Sequence, residues 1–94
     1  MGKAPANSSE LKQQLQADIE QQAITLGEAT RRMRKITGMT QTEYAQKIVG
    51  ISPRILMDVE KGYGNPTLET LNKIGKPFGL TVAFARKKHQ GKTR

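Results

Sequence analysis

The stretch MTQTEYAQKIVGISPRILMDVEKG, Met39 to Gly62, leaves this chain few choices of fold. It holds two short helix patterns, each with its own start and stop, separated by a tight turn. Thr40 is placed to cap the first by accepting from the orphan amides of Gln41 to Glu43, and Glu43 stands at the capping-box position. Tyr44, Ala45 and Ile48 then fall on one helical face. Gly50 breaks that helix, Ser52 caps the next, and Pro53 sits where a missing N–H does no harm. Ile55, Leu56 and Val59 make the second apolar stripe, which Gly62 ends.

The flanking segments extend the helical pattern. Residues 1–7 are small, polar and proline-containing, and are expected to be disordered. Ser8 or Ser9 can cap a helix running to about Ile24, a helical arm over residues 8–25. Its stripe of Leu11, Leu15, Ile19 and Ala23 or Ile24 is too thin for a buried core helix, so the arm is expected to lie on the domain or on a second subunit. Thr25 caps a helix from Leu26 to about Thr37, with Leu26, Ala29, Met33 and Ile36 inward and Arg31, Arg32 and Lys35 mostly outside. Beyond the loop at Tyr63 to Pro66, Thr67 caps a last helix with Leu68, Leu71 and Ile74 on its apolar face. Gly75, Pro77 and Gly79 end it.

From Leu80 to Arg86 the period changes from 3.6 to 2, with Leu80, Val82 and Phe84 on one side, which predicts a strand. No second strand is visible in the chain, and a lone strand leaves its backbone groups unpaired. The simplest partner is the same strand of another copy, antiparallel across a two-fold axis. Residues 87–94 form a basic tail.

Ninety-four residues with 35% hydrophobic content allow one small core and no large enzyme cavity. The absence of cysteine excludes disulfides, thiolate zinc sites and thiol catalysis. His89 stands alone in the basic tail, and Ser52 has no histidine or acid partner nearby, so no catalytic residue, cofactor or metal is expected. No run of 18 apolar residues and no signal-peptide core occurs, so a soluble, cytoplasmic protein without membrane contact is expected. Charge is unevenly placed: residues 1–25 carry a net −1 and residues 26–94 a net +9, which together make the formal +8. The positive potential thus coincides with the paired helices, as attraction to phosphates requires.

Two capped helices this short and close read as a helix-turn-helix, a motif that presents a helix N-terminus to a DNA groove. Residues 26–79, with the motif at about 41–61, resemble the Cro/C1-type helix-turn-helix domain of phage repressors and Xre regulators. The resemblance is carried by Thr40-Gln41, Ala45, Gly50-Ile51-Ser52, Ile55, Glu60-Lys61-Gly62 and Pro66-Thr67-Leu68-Leu71-Ile74. The segment Leu80 to Arg86 is similar to the strand by which HipB-type antitoxin regulators pair in their dimers. The implied fold class is mainly α, a lambda-repressor-like bundle with an extra N-terminal helix and a C-terminal strand pairing across a dimer. The chain departs from the family at one point: four residues separate Ala45 from Gly50, where the family has three. Either the first motif helix gains a residue or the turn widens.

The resemblance also implies residue roles. Thr40 and Gln41 would meet the DNA at the start of the first motif helix, the Gln41 amide holding a phosphate and sometimes touching a base; Ser52, Pro53 and Arg54 would stand at the start of the recognition helix; Met57 and Asp58 lie one turn on; and Lys61 lies near a phosphate. Arg34 and Glu60 match the positions of a structural salt bridge, and Leu80, Val82 and Phe84 would form the dimer interface. Arg54 suits guanine O6 and N7, with a phosphate clamp as its alternative; Asp58 can accept from cytosine N4 or orient Arg54. The implied function is a homodimeric regulator of transcription that binds double-stranded DNA, most simply a repressor at a palindromic operator. The alternatives are an antitoxin that also holds a toxin protein, and an adaptor whose helix-turn-helix domain binds protein.

Overall fold

The computed structural model describes residues 4–86. Five α-helices follow in order: α1 (Ser8–Glu20), α2 (Leu26–Thr37), α3 (Gln41–Glu43), α4 (Pro53–Lys61) and α5 (Leu68–Gly75). A π-helical turn (Tyr44–Val49) continues α3, and a 3-10 turn (Lys76–Phe78) follows α5. The starts of four helices obey local chemistry. Thr25, Thr40, Ser52 and Thr67 each adopt an extended backbone and accept a hydrogen bond from an N–H of the first turn. The stops do too: Gly38, Gly50 and Gly62 take left-handed backbone that a side chain would strain.

One core holds the bundle together, made by Leu15, Ala29, Met33, Ile36, Tyr44, Ala45, Val49, Leu56, Val59 and Ile74. Leu15 corrects the reading of α1 as too thin to enter a core. It is 1% exposed, flanked by half-buried Leu11 and Ile19. A single deep leucine suffices because α1 is also tied to α2 by charge: Asp18 accepts from Arg32 at 2.7 Å, and Gln14 within α1 donates to the other carboxylate oxygen at 3.0 Å. The hydrogen bond from Arg32 holds the Asp18 carboxyl below its ordinary range. Ser8 is the first helical residue and Asn7 takes the cap position without a side-chain bond. The helix also stops at Glu20, short of Ile24: Gln22 turns left-handed and the Ala23 N–H closes on the Asp18 carbonyl at 2.9 Å. Of the segment expected to be disordered, residues 4–7 lead directly into α1, the Ser8 N–H donating to the Pro5 carbonyl.

Three residues expected inside are exposed: Leu26, Ile55 and Leu68 at 58%, 45% and 67%. Each lies in the first turn of its helix, at the edge of the bundle, where apolar spacing no longer guarantees a neighbouring element.

Helices α2 and α4 meet closely at Gly27. A Cβ there would lie 2.6 Å from the Glu60 carbonyl oxygen and 2.7 Å from that of Val59, so only glycine permits this approach.

No strand occurs among the described residues. After a tight reversal at Gly79, Leu80 packs against the core, its N–H donating to the Gly75 carbonyl at 3.0 Å. Residues 81–86 run over the surface, and a ladder for them would need a second copy. The basic tail, 87–94, falls outside the described residues.

Tyr44 is fully buried and donates its hydroxyl to the Ile74 carbonyl at 2.7 Å, tying the start of the π-helical turn to α5. Burial pushes the phenol up to about 12, because the charged form would sit in apolar surroundings. The folded pKa lies above the unfolded value near 10, so this stability is complete below about pH 10 and lost as pH rises toward 12. Stability should fall there by on the order of 2–3 kcal/mol. Tyr44→Phe should lower stability at neutral pH by about 1–3 kcal/mol, since the Ile74 carbonyl loses its donor. The same variant should flatten the alkaline decline. Denaturant titrations at about pH 8 and pH 11.5 check both, one on each side of the unfolded phenol value; an equal decline in the two proteins would assign it to other groups.

Candidate nucleic-acid interface

The two motif helices reach their relative position through the inserted residue. A π-helix adds one residue to a turn, closing on the fifth residue back instead of the fourth. Here the Gly50 N–H donates to the Ala45 carbonyl at 2.7 Å, so the four residues between them occupy one wide turn. The wide turn brings Val49 into the core at 3% exposure and leaves Ile48 half-buried. The extra residue is therefore absorbed before Gly50.

Behind the motif lies a polar knot. Arg34 on α2 grips Glu60 on α4 with two parallel bonds, Nε to Oε2 at 2.7 Å and Nη2 to Oε1 at 3.1 Å. Its third nitrogen donates to the Met39 carbonyl at 3.2 Å, fixing the entry to α3. Gln41 also donates to Glu60 Oε1, at 3.0 Å. The side chains of Arg34 and Glu60 are only 13% and 4% exposed, so this charged fork is nearly sealed from water. One carboxylate thus joins α2, α3 and α4. The Gln41 amide, expected to meet the DNA backbone, is engaged inside the protein.

In front of the knot opens a cleft of about 670 Å³, lined by Arg31, Arg34, Lys35, Thr40, Gln41, Glu60, Lys61 and Tyr63. Arg31, Lys35 and Lys61 bring cations from the end of α4 and the outer face of α2 to one opening. Arg31 also pairs with Glu28 at 3.0 Å, a half-exposed contact of small energetic value. Tyr63 is a residue that sequence reasoning misses. It is 64% exposed and is aimed by its N–H, which donates to the Asp58 carbonyl at 2.7 Å where the backbone leaves α4. Its only signal is an aromatic residue directly after the terminating glycine.

The start of α4 stands clear of the bundle. Ser52 caps it through the Ile55 N–H at 3.3 Å, and Pro53 opens it. Arg54 has an 81% exposed side chain, with Nε 3.6 Å from Asp58 Oδ1, too long for a firm hydrogen bond. Met57 and Asp58 are half-buried on the next turn, and Lys61 is exposed at the far end. Leu80, Val82 and Phe84 are separate from this surface. The first two are half-buried against their own domain, while Phe84 is fully exposed. Among the described residues no cluster of acidic or histidine side chains could hold a metal, and no helix is long and apolar enough to cross a membrane.

A helix-turn-helix family model matches residues 31–84, more than half of the chain, from the middle of α2 to Phe84. No curated protein and no solved structure matches the chain. The match covers the two motif helices, the α2 side of the salt bridge and α5. The chain belongs to the Cro/C1-type helix-turn-helix family of DNA-binding transcriptional regulators.

Proposed function

We propose that this protein is a sequence-specific, homodimeric repressor that lays α4 in the major groove of a palindromic operator. The reading is carried by α4: an exposed Arg54 at the capped start of a rigidly supported helix whose far end meets a cleft rimmed by Arg31, Lys35 and Lys61. Arg54 reads a guanine through its planar fork, while Asp58 one turn on, 3.6 Å away, attracts that fork by charge or accepts from cytosine N4. Met57 is near enough to the same face to touch a thymine methyl. Lys61, Arg31, Lys35, the Thr40 hydroxyl and the Gln41 backbone N–H take phosphates, which set position without reading sequence. With a second copy, two such helices spaced by about 34 Å would read two half-sites one turn of DNA apart. Such a repressor acts by occupying its operator.

Selection of binding sites from random duplex DNA tests the reading, and a palindrome should be recovered. Arg54→Ala should then cost about 1–3 kcal/mol on the selected site and relax preference at one base in each half-site. If affinity fell equally for selected and random DNA, Arg54 would be a phosphate clamp. Failure to enrich any duplex would favour the adaptor reading, in which the same helices bind protein.

A further inference from the structure

Away from the motif, an apolar groove of about 210 Å³ opens between α2, α5 and the end of α1. Its walls include Ile19, Leu26, Ala29, Met33, Leu71 and Val82. A site of about 150 Å³ lined by such residues accepts a benzene ring. The groove can therefore take a phenylalanine.

The segment that edges this groove has a defined polarity. The Leu80 N–H donates to the Gly75 carbonyl, the Val82 N–H donates to Asn72 Oδ1 at 2.8 Å, and the Arg86 carbonyl accepts from Gln22 at 2.9 Å. In an extended chain the backbone groups of alternate residues point to opposite edges. The even-numbered residues thus turn their backbone toward their own domain, and the odd ones, 81, 83 and 85, offer theirs outward. No backbone hydrogen bond engages Ala83 or Ala85 among the described residues. Side-chain burial follows the same period from Val82 on: Leu80 and Val82 are half-buried and Ala83 and Ala85 are exposed, while Thr81, also exposed, donates its hydroxyl to Asn72 Oδ1 at 2.9 Å. Phe84 belongs by period to the inward set, yet it is fully exposed because the segment has passed the end of the groove.

We infer that the groove is the seat for Phe84 of a second copy, delivered by antiparallel pairing about a two-fold axis at Ala83. This rests on the homodimeric reading above and adds to it the register and the occupant. A two-fold at Ala83 is the register that pairs all three outward residues: 83 with 83, and 81 with 85 in both directions. The same register sets Phe84 of one copy opposite Val82 of the other. Residues directly opposite share a face with their Cβ atoms about 5 Å apart, and Val82 faces the groove. Each copy then covers the aromatic ring that the other cannot bury, and the exposed edge of each segment disappears.

The chain contains neither tryptophan nor cysteine, so a single Phe84→Trp substitution is a unique reporter. Its emission should be blue-shifted at concentrations where sedimentation shows dimer, and should move to the water-exposed position on dilution to monomer. Phe84→Ala should weaken dimerisation by about 100-fold or more, since two rings lose their cover. Leu26→Glu places a carboxylate on the groove rim at a helix start that favours acids, so the domain should stay folded while the dimer weakens comparably. A wild-type protein that stays monomeric at every concentration would remove the homodimeric reading and this one with it. A dimer that survives Phe84→Ala and Leu26→Glu, with the indole of Phe84→Trp still in water, would overturn the groove assignment alone. Blue-shifted emission unchanged by dilution would place the ring within one chain and overturn it as well.

Discussion

Arg34→Ala should destabilise the domain by about 3–5 kcal/mol, a large share of the stability of a chain this size. The loss follows from what stays behind. Glu60 is 4% exposed and would keep only the Gln41 amide as a partner, so an almost unpaired carboxylate would be sealed between α2 and α4. Glu60→Ala should cost less. It leaves a guanidinium that is itself 13% exposed and still bonded to the Met39 carbonyl. The double variant should lose clearly less than the two single losses added together, because neither charge is then stranded. Thermal unfolding of the three proteins measures this, and additive losses would mean that the fork contributes nothing as a pair. Arg34→Ala should also free the approach to α4, since three of the four bonds that fix Glu60 and the α3 entry belong to Arg34.

What can be read from the sequence divides along a physical line. Cap chemistry acts within four residues, so Thr25, Thr40, Ser52 and Thr67 announce their helices without any knowledge of neighbours. The Arg34–Glu60 pair is legible only through a resemblance, because nothing local links residues 26 apart. The extra residue after Ala45 is countable in the sequence, but whether it widens the turn or lengthens the helix depends on packing. Tyr44 and Val49 settle it by both entering the core, which a π-helical turn permits. Gly27 carries no signal at all, since its reason is the backbone of α4 and not its own conformation. Leu26, Ile55 and Leu68 have the right spacing for a core, and they miss it because a stripe says which face is apolar, not how far the neighbouring element extends. The polar frame of α1 is likewise invisible: Asp18 and Arg32 lie on different helices and become partners only when these cross.

Ala83→Pro should separate dimerisation from folding, and with it the two halves of operator recognition. Proline at Val82 would be a poor probe, because the Val82 N–H holds the segment to Asn72 in its own chain. The Ala83 N–H faces the other way and bonds nothing among the described residues. Its removal therefore costs the single domain little, yet it deletes a donor on each side of the two-fold, at the centre of the proposed ladder. The far-UV circular dichroism and the unfolding temperature should stay close to those of the parent measured as monomer. Sedimentation should show monomer at concentrations where the parent is dimeric. Affinity for the full palindrome should fall by about 10²–10⁴-fold, the gain that linking two binding events supplies, while affinity for an isolated half-site should not change. The half-site comparison carries the argument, because a misfolded α4 would lower both. A proline variant that stays dimeric and binds the palindrome normally would move the two-fold away from residues 80–86, to the exposed leucines at the starts of α2 and α5.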